Sequence, residues 1–162
     1  MRLPAFLQRW LHGAVLRLVC RRMPDFIIGG AQAPYLMRWF VIPRNPVFNV
    51  YVHEFRRSDD DRALHDHPWI NLSILVAGEY TEHTIRAGGI HVRRIRRKGD
   101  LVLRRPRHAH RIELHDGACL TLFITGPRLR AWGFHCPETG WIHWKAFTQP
   151  DDKGSIGQGC DQ

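Results

Sequence analysis

His65-Asp66-His67 is the stretch of this sequence best suited to chemistry. On an extended strand, residues i and i+2 face the same way, about 7 Å apart along the chain. Two imidazoles so placed can converge on one cation at about 2.1 Å from each nitrogen. A third ligand must come from another strand, and His110, at the head of a later β-like run, is the choice. His108 shares a face with His110 by alternation and is the alternative ligand. Three neutral imidazoles leave positions on the ion open to water or substrate, as catalytic metal sites require. His53 is a candidate beside the ligands, and Tyr80 and Glu82 are candidates for the pocket wall. Asp59, Asp60 and Asp61 lack the spacing of a calcium loop and read as a solvated turn that caps the strand or pairs with Arg62.

Such a site needs strands to hold it. Runs of β-forming residues fall at Tyr35–Ile42, Phe48–Phe55, Trp69–Val76, Glu79–Arg86, Ile90–Arg97, Leu101–Leu103, His110–Leu114 and Leu120–Thr125. Turn residues punctuate them, among them Pro43–Pro46, Ala77–Gly78, Gly88–Gly89 and Lys98–Asp100. Eight short strands at this spacing predict an all-β jelly-roll barrel. Before them, Leu7, Trp10, Leu11, Val15 and Leu18 recur at helical spacing and predict an amphipathic helix, packed on the barrel or on a second subunit. A membrane-surface helix is the alternative. After Gly126 the chain carries Trp132, Trp141 and Trp144 and is too apolar to be a free tail. The expected division is residues 1–30 for helix and linker, 31–150 for the barrel and 151–162 for a flexible tail.

At 162 residues with 44% apolar composition, the chain suits one domain with a real core. The four cysteines show no CxxC and no tight pairing pattern, and Arg9, His12 and Arg17 interrupt any secretory apolar run. They read as mostly reduced thiols of a cytoplasmic protein, without a transmembrane segment. The net charge of +9 is concentrated between Arg86 and Arg111, a basic stretch suited to an anionic ligand or an acidic partner. Nucleic acid is the less favoured partner, since no helix-turn-helix, zinc finger or stacked-aromatic motif accompanies it.

Two phrases carry a family resemblance. HDHPWINLSILVAG, from His65 to Gly78, resembles the first motif of the cupin superfamily, and the stretch from Gly99 to Leu114 resembles the second. The resemblance spans roughly Val50 to Pro127 and implies a double-stranded β-helix with His65, His67 and His110 as ligands of one divalent metal. Asn71 stands where the first motif has an acidic residue, and Pro106 lies four residues before His110 instead of five. HRIEL followed by LTLFITGP is similar to cysteine dioxygenase, a three-histidine thiol dioxygenase. Phe123 replaces that enzyme's tyrosine and argues against cysteine as substrate, since a phenyl ring donates no proton. HDHPW and WGFHCP resemble small uncharacterised cupins of bacteria and their phages.

The expected function is therefore a metal-dependent enzyme acting on a small anionic molecule, with dioxygenation first and isomerisation or hydrolysis next. Fe(II) suits oxygen chemistry, while zinc, manganese or nickel would accept the same imidazoles. The alternative is a non-catalytic module that senses a ligand or docks a partner through Arg86–Arg111. Cupins are similar in pairing through sheet edges, which implies a homodimer.

Overall fold

The computed structural model describes residues 1–30, 32–59, 63–149 and 156–161. The elements in chain order are α1 (Ala5–Arg21), β1 (Phe26–Ile28), β2 (Leu36–Phe40), β3 (Asn49–Phe55), β4 (Leu64–His65), β5 (Asn71–Ala77) and β6 (Glu79–Arg86). They continue with β7 (Ile90–Arg97), β8 (Leu101–Arg104), β9 (Arg111–Leu114), β10 (Cys119–Thr125), β11 (Gly133–Cys136), β12 (Gly140–His143) and α2 (Trp144–Phe147). All eight predicted strands are present, with ends shifted by a few residues. The short β1, β4, β11 and β12 were not foreseen.

Two antiparallel layers face each other. One sheet runs β1-β2-β3-β10-β5-β8; opposite it lie β7-β6-β9 and β12-β11-β4. The two smaller sheets meet where His65 and His110 form a β-bridge, with both backbone hydrogen bonds at 2.9 Å. This is the jelly roll that the sequence predicts. Gly78 turns β5 into β6 with φ +77°, and a Cβ there would lie 2.7 Å from the Ala118 carbonyl oxygen. That motif position is thus held by backbone geometry rather than by chemistry.

The interior divides by chemistry. Leu36, Phe55, Leu75, Tyr80, Ile112 and Cys119 fill one part with an apolar cluster. Polar side chains gather around the histidines in the other. Outside the larger sheet, Leu11, Val15, Leu18 and Val19 of α1 cover Trp39, Val52, Val76, Leu120 and Leu122. The helix therefore packs on its own barrel. Trp10, expected on the same stripe, is 70% exposed. At about 100° per residue it stands some 140° around the helix from Val15, on the far side. No helix among the described residues is long and apolar enough to cross a membrane.

The Trp-rich extension folds back as β11, β12 and α2. Phe134 stacks on Phe147 with centroids 3.7 Å apart, and Trp132 stacks on Trp144 at 5.8 Å. Residues 156–161 also lie against it, where the sequence suggests a flexible tail. Ile156 bridges Thr148, and the Gly157 N–H donates to the Phe147 carbonyl at 2.9 Å. Residues 151–155 and 162 of that expected tail lie outside the described residues. A disulfide joins Cys136 to Cys160, which corrects the reading of these two as reduced thiols. Their separation of 24 residues left no pairing signal in the sequence, and only the return of the chain brings them together. Cys20 and Cys119 are free thiols, exposed and buried respectively.

Alkylation of the denatured protein without reductant should label two of the four cysteines, Cys20 and Cys119, and all four only after reduction. Cys160→Ser should lower the unfolding free energy by roughly 3 kcal/mol, the loop-closure contribution of such a cross-link, read from urea midpoints.

Candidate metal centre

The backbone holds the three imidazoles from several sides. His65 pairs with Phe134 of β11 on one flank and with His110 on the other. The His67 N–H donates to the Pro106 carbonyl in the loop between β8 and β9, at 3.1 Å. β4 ends at His65, and just beyond it the Asp66 side chain turns to the C-terminal extension, away from the histidine group. There it is 1% exposed and accepts from Arg130 Nη1 (2.6 Å), Gly133 N–H (2.9 Å), His135 Nε2 (3.1 Å) and Trp141 Nε1 (3.1 Å). Burial alone would raise this carboxyl, but the hydrogen bonds from His135, Arg130 and Gly133 hold it down at about 2. Asp66 thus ties the C-terminal extension to the histidine segment.

One nitrogen from each of His65, His67 and His110 lies within 4.8 Å of the others, a grouping able to hold a metal ion. His67 Nε2 and His110 Nε2 are 3.0 Å apart. Donors about 2.1 Å from a shared ion stand roughly 3.0–3.4 Å from one another, so this pair already fits. Burial, with smaller contributions from neighbouring positive groups, lowers both His67 and His110 well below the usual histidine value. Both are therefore neutral at pH 7, which is the ligating form. The donor set fits a divalent ion that accepts nitrogen. His108 is exposed, with its ring 6.4 Å from that of His110, and is outside the group.

Around the trio the wall is polar and aromatic. Phe123 lies 5.8 Å from His67 and stacks on His53 at 4.9 Å. His53 accepts from Arg38 Nε at 2.8 Å and is held well below its ordinary value, by burial first and then by Arg38 and His67. Asn71 is 1% exposed, and neither atom of its amide has a hydrogen-bond partner among the described residues. The indole N–H of Trp69 is buried and unpartnered in the same sense.

Tyr80 and Glu82 are interior but engaged. Arg104 donates through Nε to Glu82 Oε1 at 2.7 Å, through Nη1 to Ser73 Oγ at 3.0 Å and through Nη2 to the Tyr80 hydroxyl at 3.3 Å. Arg96 donates to Glu82 Oε2 at 2.8 Å. Burial raises the Glu82 carboxyl, yet Arg104 and Arg96 overcome it and keep it ionised; burial pushes the Tyr80 phenol up to about 12. Neither is placed to exchange protons near neutrality. Two arginines of the Arg86–Arg111 stretch thus turn inward to Glu82, while Arg93, Arg94 and Arg97 of β7 remain exposed.

Two residues escaped the sequence reading. Asp59 is not the solvated turn expected: its carboxylate accepts the Tyr35 hydroxyl and, at 2.6 Å, the Ile112 N–H, and lies 3.4 Å from His65 Nδ1. Asp60, Asp61 and Arg62 lie outside the described residues. Arg38 was not foreseen either. Its register opposite His53 turns it inward, and its guanidinium lies 5.0 Å over the Tyr51 ring. Among the described residues no carboxylate pairs with it, and burial lowers its pKa. An arginine inside an alternating strand was the available signal.

No family model matches this sequence, and no curated protein matches it. Solved structures do. An uncharacterised conserved protein with a double-stranded β-helix domain from Klebsiella pneumoniae subsp. pneumoniae aligns with TM-score 0.50 at 14% identity, over 67% of this chain and 90% of that one. Fe(II)-HppE with the alternative substrate (S)-1-HPP aligns with TM-score 0.50 at 15% identity, over 64% of this chain and 58% of that one. At such identities the likeness establishes the fold, which is the cupin jelly roll.

Asp66→Ala should cost about 1–3 kcal/mol of stability, because it leaves the buried Gly133 N–H without its acceptor, while Arg130, His135 and Trp141 are exposed enough to turn to water. Urea denaturation together with proteolysis of the C-terminal extension would show it. A second expectation concerns pH. His53, His67 and His110 stay neutral in the fold below 6.5, where the unfolded chain takes up protons. Unfolding then binds protons, so stability should fall as pH drops below about 6.5, by up to about 1.4 kcal/mol per pH unit for each imidazole, and level off above it. Urea midpoints between pH 4.5 and 8 measure this.

Proposed function

We propose that this chain, which has the cupin fold, is a metal-dependent enzyme that acts on a small anionic molecule through His65, His67 and His110. The observation that carries the reading is the convergence of three imidazole nitrogens, one from each of these histidines, within 4.8 Å. A bound divalent ion would supply Lewis-acid or oxygen-binding character at this point, with Fe(II) favoured and zinc, manganese or nickel compatible with the same donors.

The chain's own residues define the ligand. Three imidazoles and the amide of Asn71 cancel none of a divalent ion's charge, so the site favours anions. Arg38 adds an inward guanidinium without a carboxylate partner among the described residues, in position to take the acidic group. Its Nε–H bond to His53 and the Tyr51 ring beneath it restrict the directions in which its remaining N–H groups can point. Asn71 and the Trp69 indole offer an acceptor and donors, none with a hydrogen-bond partner among the described residues, to polar atoms of substrate or water. Phe123 closes the wall beside His67 with a face that neither donates nor accepts a proton. Glu82 and Tyr80 shape the site without titrating in it. Oxygenation is the first reaction class, with isomerisation and hydrolysis next.

A second reading rests on a different observation. A groove of about 520 Å³ is lined by Arg105, Pro106, Arg107, Leu129 and Arg130. Together with the exposed arginines of β7, it suits an acidic partner and a non-catalytic role. Binding to polyanions that weakens steeply with salt would favour this reading.

Protein purified without a histidine tag and loaded anaerobically should hold one Fe(II) per chain by elemental analysis, and His67→Ala or His110→Ala should hold none. Oxygen uptake should then respond to small carboxylates or thiolates. Arg38→Met should raise KM at least tenfold while leaving the metal content unchanged. Wild-type protein that takes up no divalent metal under these conditions refutes the enzyme reading.

A further inference from the structure

Two carboxylates stand behind the imidazoles at matching distances. Asp59 Oδ2 is 3.4 Å from His65 Nδ1, and Glu82 Oε1 is 3.5 Å from His110 Nδ1. Both contacts are a few tenths of an ångström longer than a formed N–H···O bond, within reach of a small ring rotation. His110 Nδ1 is buried and has no hydrogen-bond partner among the described residues. A buried ring nitrogen left unpaired forfeits the hydrogen bond it would make in water, which favours its closing on the anion beside it.

Each carboxylate is also anchored from the side away from the site. Asp59 leaves the end of β3 and accepts the Ile112 N–H, which ties it to β9. Glu82 sits opposite the same Ile112 in the β6–β9 register and is gripped by Arg104 and Arg96. Ile112 lies two residues beyond His110, so both anions are referenced to the strand that His110 leads into. Held this way, they are poor candidates for ligands themselves and good ones for orienting ligands.

We infer that Asp59 and Glu82 are positioning residues. Each accepts the Nδ1–H of one imidazole, His65 and His110 respectively, and thereby fixes the tautomer that presents Nε2 to a divalent cation. The inference rests on the metal-site reading above. A neutral imidazole carries one N–H, and the hydrogen bond made by one ring nitrogen decides which nitrogen can ligate. A carboxylate there also strengthens the ligand, and losing one typically costs 10–100-fold in metal affinity. His67 is held otherwise, by ring contacts with Trp69 and Phe123.

The test reads tautomer and affinity separately. Long-range ¹H–¹⁵N spectra of the metal-free protein at pH 8 should show His65 and His110 protonated at Nδ1. Glu82→Gln should give a tautomer mixture at His110 and leave His65 unchanged; Asp59→Asn should do the reverse. Co(II) titration against a chelator should show each variant weakened about 10–100-fold. Should Glu82→Gln unfold by orphaning Arg104, the wild-type spectrum and Asp59→Asn still decide. Nδ1 unprotonated at both histidines in the wild type, or variants with unchanged tautomers and unchanged Co(II) affinity, overturns the assignment. Wild-type protein that binds no Co(II) sinks the metal reading, while the tautomer spectra still judge the positioning role.

Discussion

A carboxylate between two imidazoles organises this molecule. His65 and His67 share one group of imidazoles, and the Asp66 side chain between them turns the other way, to the C-terminal extension. Asp66 does not face water there. It is buried beneath donors from Arg130, Gly133, His135 and Trp141. A buried, ionised carboxylate without those donors would be costly, so the C-terminal extension and the histidine segment stabilise each other. The extension is therefore part of the site's scaffold, although it contributes no ligand to the group of three histidines.

Charge inside the barrel follows the same logic of compensation, with one exception. Glu82 is held by Arg104 and Arg96, and Arg104 also meets Ser73 and Tyr80. Low local dielectric makes such a network favourable only when its members are matched. Arg38 breaks the pattern, since it reaches the neutral ring of His53 and no carboxylate among the described residues. Arg38 thus brings a positive charge, without a carboxylate partner among the described residues, to the neutral ring of His53. That is the physical basis for expecting an anion there.

The peripheral elements serve the same barrel. α1 buries Leu11, Val15 and Leu18 against the outer face of the larger sheet and leaves Phe6 and Trp10 exposed. The Cys136–Cys160 disulfide pins residues 156–161 beside Phe134 and Phe147, close to the strand that pairs with β4. The order of the C-terminal segment thus bears on the segment that carries His65.

The sequence alone determined the barrel, the helix and the pairing of His65 with His67, because these rest on local periodicity. Alternation marked the strands, 3.6-residue spacing marked α1, and HxH on a strand placed two imidazoles on one face. Tertiary structure alone decided which groups those residues meet. Asp59, in a loop that reads as solvated, finds Tyr35, Ile112 and His65 from distant parts of the chain. Glu82, legible as a pocket residue, becomes a fixed anion only when Arg104 arrives from β8. The place of His110 at the head of a β-run pointed to it over His108, but the bridge to His65 that brings its ring beside the other two is beyond a two-residue period. Pairings across 24 to 75 residues, from Cys136–Cys160 to Asp66–Trp141, leave no local pattern, since they arise from closure of the chain on itself.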